Sequence, residues 1–111
     1  MSSQLVVLML TTVPDSTSAH KLVDGALQAQ LAACVSQLGT VHSRYRWKGQ
    51  IESAEEIQLL FKTSAARSLE LERFIVENHP YETPEILSWQ ASASTSYGQW
   101  IAAETHPPTH V

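Results

Sequence analysis

Residues 41–62 read VHSRYRWKGQIESAEEIQLLFK, and this stretch decides the fold. On its C-terminal side Ile51, Ile57, Leu59 and Phe61 take odd positions, while Glu52, Glu56, Gln58 and Lys62 take even ones. That period of two gives a strand one apolar and one polar face. The N-terminal side alternates as well, with Val35, Val41, Tyr45 and Trp47 at odd positions, expected on one face. Between the two runs lies Trp47-Lys48-Gly49-Gln50, where Gly49 can take the positive φ of a tight turn. Two strands over residues 33–47 and 50–62 therefore form an antiparallel hairpin. Gly39 is expected to mark a bulge or bend in the first arm.

Working outward, residues 4–12 form a continuous apolar run that stops before Pro14, the pattern of a buried strand. Asp15-Ser16 then supplies a helix cap, and Ala19, Leu22, Val23, Ala26 and Leu27 recur at helical spacing, giving a helix over 16–30. Beyond the hairpin, Thr63-Ser64 is expected to cap a second helix over 65–78, with Leu71, Phe74, Ile75 and Asn78 on one stripe and Leu69 beside it. The segment HPYETPEI, residues 79–86, contains two X-Pro steps that favour an extended path. A fourth strand is expected over 85–91. Ser94 or Thr95 caps a short last helix with Tyr97, Trp100 and Ile101 on one side. The order β-α-β-β-α-β plus a terminal helix is an α+β, ferredoxin-like sandwich, a single domain over 1–104 followed by a flexible tail over 105–111.

Each hairpin arm of about 13 residues would span roughly 43 Å if straight. A globule of this chain length is only about 34 Å across. The hairpin should therefore bend or project, carrying Tyr45, Trp47 and Ile51 at its tip. A lone ribbon with aromatic side chains and unpaired edges is marginal in water. Docking on further copies of the chain is the expected remedy.

Composition narrows the function. The 111 residues are 43 % hydrophobic and 16 % charged, with a formal net charge of −4, which suits one globular core and leaves no basic footprint for nucleic acid or an anionic membrane. The apolar run near the N-terminus is too short to cross a bilayer. One cysteine, Cys34, excludes an internal disulfide and fits a reducing, cytoplasmic setting. Its apolar neighbours suggest a buried, inert thiol. No nucleophile motif or glycine-rich phosphate loop is present, so a non-enzymatic protein is expected.

Four motifs in order, TTVPD at the end of the first strand, LAACV, YRWKGQI with Glu55-Glu56, and HPYETPEI, closely resemble those of the CutA (divalent-cation tolerance) family over nearly the whole chain. The resemblance implies a compact homotrimer similar in architecture to PII signalling proteins, and a role in divalent metal (copper) tolerance. A PII-like trimer binding a small ligand between subunits is the alternative. In copper-binding members a cysteine ends the first strand and a His-His pair precedes Pro-Tyr. Here those positions hold Thr11, Asn78 and His79, so His79 alone matches as a metal ligand. Soft Cu(I) favours thiolate or thioether over a threonine hydroxyl, so any copper is expected to bind weakly.

A second constellation comes from the alternation itself. Glu56 and Lys62 share one face of their strand and, with Tyr45, Trp47, Tyr81, Glu82 and Glu85, are expected to line a polar pocket or an inter-subunit cleft. An inter-subunit salt-bridge network is the competing reading. The i, i+3 spacing of Glu82 and Glu85 in an extended segment would put them on opposite sides, which argues against paired acid-base work.

Overall fold

In the computed structural model, which describes residues 4–106, strand β1 (Gln4–Val13) occupies the middle of a four-stranded sheet ordered β2-β3-β1-β4. Strands β2 (Cys34–Trp47) and β3 (Gln50–Thr63) form the hairpin, and β4 (Ile86–Ala93) closes the other edge. Every pairing is antiparallel. Helices α1 (Ser16–Gln28) and α2 (Ser68–Asn78) cover one face. This is the expected ferredoxin-like α+β fold.

Alternation along the strands builds the core. Met9, Val13, Leu59 and Phe61 point toward the helices and pack with Leu22, Ala26, Leu71 and Ile75. Phe61 is fully buried there, and truncating such a ring to alanine costs about 3–5 kcal/mol. Asp15 caps α1 by accepting the Ser18 N–H at 2.8 Å. Helix α1 ends at Gln28 rather than 30 because Gln30 turns to φ 57°, ending the helical path. Buried Arg67 seals that end by donating to the carbonyls of Ala29 (3.1 Å) and Gln30 (3.3 Å) while pairing with Glu70 at 3.0 Å.

The Ser64 side chain does not cap α2. A single 3-10 turn (Ala65–Arg67) comes first, and the Ser64 hydroxyl instead accepts from Thr105 at 3.0 Å. Leu69, beside the apolar stripe, is exposed. The last helix, α3 (Thr95–Glu104), is capped by Ser94 and packs on the opposite sheet face, where Gly98 lies against Gln4. Ile101 is buried, whereas Tyr97 and Trp100 stay largely exposed and stack on each other at 5.6 Å. Of the proposed tail, Thr105 is buried and caps α3; residues 107–111 lie outside the described residues.

The bulge at Gly39 corrects the hairpin reading. Gly39 has φ 114°, and the β2–β3 register slips between Gln37 and Gly39. One extra residue reverses the faces downstream. Val35 therefore pairs with Phe61 on the core side, while Val41 pairs with Glu56 and Tyr45 with Glu52 on the opposite side. The hairpin closes through Lys48 (φ 50°) and Gly49 (φ 81°), the positive-φ pair of a two-residue turn. Its far end projects: the molecule measures 48 × 35 × 22 Å with a radius of gyration of 15.1 Å, against about 13 Å for a compact chain of this size. Ile51 near the tip is 72 % exposed.

Candidate functional site

The site forms where the segment after α2 folds over the face of β3 that points away from α1 and α2. Strand alternation sends Glu56 to that face, away from Leu59 and Phe61. At the end of α2 the Asn78 side chain turns back and donates to the Phe74 carbonyl at 2.8 Å. The chain then bends over residues 80–83 rather than running extended. That bend corrects the expectation for Glu82 and Glu85, since both now line one cleft.

His79 locks the bend. Its Nε2 lies 2.8 Å from the Thr12 carbonyl oxygen, and its Nδ1 accepts the Tyr81 N–H at 3.1 Å. A carbonyl can only accept and an amide N–H can only donate, so the neutral ring carries its hydrogen on Nε2. Burial pushes the imidazole below its ordinary pKa of 6.5, opposed by the Thr12 bond and the nearby Glu56 charge. The ring also sits against Tyr81, with centroids 4.9 Å apart.

Tyr81 in turn reaches Glu56, its hydroxyl donating to Oε2 at 2.9 Å. Burial, followed by that hydrogen bond and the charge of Glu56, pushes the phenol up to about 12. Glu56 is only 6 % exposed. Around this pair opens a cleft of about 820 Å³, walled by Tyr45, Trp47, Glu82 and Glu85 as well. Six of the seven pocket residues expected from the sequence thus come together. Lys62 does not. It shares the face of Glu56 but lies six residues along β3, roughly 20 Å away, and donates to Ser36 Oγ at 3.0 Å.

Sequence reasoning missed Ser43, Arg44 and the Thr12 carbonyl at this site. Ser43 was legible, since it continues the alternation of Tyr45 and Trp47 on β2. The Thr12 carbonyl was not, because a backbone acceptor leaves no mark in side-chain pattern. Cys34, expected to be buried, is only partly so.

The three positions that the resemblance offers as copper ligands are engaged in other bonds. Thr11 donates its hydroxyl to the Glu85 carbonyl at 2.7 Å, Asn78 caps α2, and both ring nitrogens of His79 are engaged. Among the described residues, no three His, Cys, Asp or Glu side chains converge to hold a metal ion. This donor set does not fit a copper centre.

Residues 7–104 match the family model described as CutA1 divalent ion tolerance protein. The chain belongs to the CutA family. It is 42 % identical over 98 residues to the divalent-cation tolerance protein CutA of Yersinia pestis (87 % of this chain, 82 % of that one). It is 37 % identical to CutA of Pectobacterium atrosepticum (87 % and 89 %). Among solved structures, CutA from Xylella fastidiosa superposes with a TM-score of 0.86 at 40 % identity, covering 90 % of this chain and 97 % of the other. A CutA structure from Archaeoglobus fulgidus, titled a periplasmic divalent cation tolerance protein, gives 0.86 at 25 % identity, covering 91 % and 99 %. No helix among the described residues is long and apolar enough to cross a membrane.

Proposed function

We propose that this CutA chain serves divalent-metal tolerance, copper included, as a non-enzymatic cytoplasmic homotrimer, and that it does so without a copper centre at positions 11, 78 and 79. Family membership supports the role in tolerance. The observation that carries the rest is the prior engagement of Thr11, Asn78 and His79 in bonds that hold the fold. The same engagement supports a non-catalytic protein: His79 has no free nitrogen to act as a base, and Tyr81 is held as a neutral donor to Glu56. The unpaired thiol of Cys34 suits a reducing compartment.

The trimer is supported by surface that a lone chain leaves in water. Leu87 and Trp89 on β4 are 55 % and 45 % exposed on the sheet face opposite α1 and α2, next to Leu8 and Leu10, and the hairpin extends past its own domain. A contiguous apolar patch of this kind marks an interaction surface.

Calorimetry with Cu(II), Cu(I) and Zn(II) on tag-free protein tests the metal reading. Wild type and His79→Ala should bind each ion equally weakly. Tight copper binding by wild type that His79→Ala abolishes would overturn it. Light scattering should return three times the 12.3 kDa chain mass; a folded monomer at micromolar concentration would refute the assembly.

A further inference from the structure

Glu56 is a nine-tenths-buried carboxylate that forms no ion pair among the described residues. A carboxylate offers about four acceptor sites; Glu56 uses one, for the Tyr81 hydroxyl. Among the described residues the ion pairs are His42–Glu55 and Arg67–Glu70, and neither includes Glu56. A buried charge without a partner is costly and calls for a cation. The cleft it faces carries three glutamates against one arginine, Arg44, and so has a surplus of negative charge. Its walls also present the rings of Tyr45, Trp47 and Tyr81.

We propose that this cleft binds a small organic ammonium ion, the charged head on Glu56 and the carbon body against Tyr45 and Trp47. Ca2+ and Mg2+ take about six or more oxygen ligands and Zn2+ about four nitrogen, sulfur or oxygen ligands, and among the described residues no three His, Cys, Asp or Glu side chains converge here. An alkylammonium needs only one carboxylate and aromatic faces. The cleft, about 820 Å³, is sized for an organic molecule rather than a bare ion. In the single chain Tyr45 and Trp47 are 44 % and 38 % exposed. The proposal is independent of the metal-tolerance reading.

The test titrates the full chain, in its native oligomeric state, with choline chloride and n-butylammonium chloride by calorimetry at constant ionic strength, with NaCl and MgCl2 as controls. Saturable binding with a Kd of about 1 mM or tighter is expected for the ammonium ions alone. Glu56→Gln should weaken it about tenfold, and Trp47→Ala, at a half-exposed position, about threefold. Failure of both ammonium ions to bind wild type overturns the proposal, as does equal binding of the controls. Unchanged affinity in folded Glu56→Gln overturns it, and if that variant does not fold, unchanged affinity in Trp47→Ala does so instead. A fall in oligomer mass in Glu56→Gln, with no ammonium binding by wild type, would assign the partner of Glu56 to a cation of another copy and overturn it too.

Discussion

The phenol of Tyr81 and the carboxylate of Glu56, 25 positions apart in sequence, meet at 2.9 Å on the side of β3 that points away from α1 and α2. The bond fastens the segment after α2 to the sheet and gives the buried carboxylate its hydrogen-bond donor. Tyr81→Phe leaves that carboxylate without it. We expect a loss of about 1–2 kcal/mol in urea unfolding, because an acceptor stranded in the interior costs its desolvation. A double-mutant cycle with Glu56→Gln should show coupling, and additive losses would deny the link.

The same pair predicts an alkaline signature. Tyr81 is raised from 10.0 to about 12 in the fold, so its neutral form favours the folded state. That contribution is complete below pH 10 and disappears as pH rises through 12. Absorbance titration of phenolate should show a step near pH 12, and Glu56→Gln should move it to lower pH. A step that ignores the substitution would place the cause elsewhere.

His79 predicts an acidic one. Its folded pKa lies below the ordinary 6.5, so the unfolded chain takes up the proton first. Stability from this group is complete above pH 6.5 and is lost as pH falls through the folded value. Protonation at Nδ1 would set an N–H against the Tyr81 N–H and break the bend. The melting temperature of wild type should therefore fall faster than that of His79→Gln between pH 7 and pH 5. Parallel slopes would show that the ring does not titrate with unfolding.

Arg67 closes the end of α1 from a buried position. Arg67→Ala strands two carbonyl oxygens and removes a packed side chain, for an expected cost of about 3 kcal/mol. Arg67→Lys should recover only part, since an ammonium lacks the planar fork. Equal denaturation midpoints for the lysine variant and wild type would argue that charge alone suffices.

A Cβ at Gly98 would stand 2.0 Å from the Cβ of Gln4. Gly98→Ala must therefore shift α3 off β1, and we expect about 1–3 kcal/mol of destabilisation despite the better helix propensity of alanine. An alanine variant as stable as wild type would mean that the helix moves freely.

Much of the architecture follows from near neighbours in sequence. The alternation of Ile57, Leu59 and Phe61 against Glu56 and Gln58, the turn at Lys48-Gly49, the Asp15 cap and the helical spacing from Ala19 to Ala26 are each local signals. Local steric and solvation preferences act over a few residues, and so they fixed element order, hairpin and fold class. The motifs TTVPD, YRWKGQI and HPYETPEI carried the family for the same reason: each is a contiguous string.

Only the folded chain decided which side chains meet. The bulge at Gly39 sent Val35 and Val41 to opposite faces, although both occupy odd positions. Lys62, which shares the face of Glu56, ended far from the cleft, whereas Tyr81 and Glu82 arrived from another element. His79 gave both nitrogens to Thr12 and Tyr81, contacts that its place in HPYETPEI did not announce. Such outcomes depend on register and on contacts between segments distant along the chain. Periodicity states which way a side chain points, but tertiary packing sets what stands opposite it.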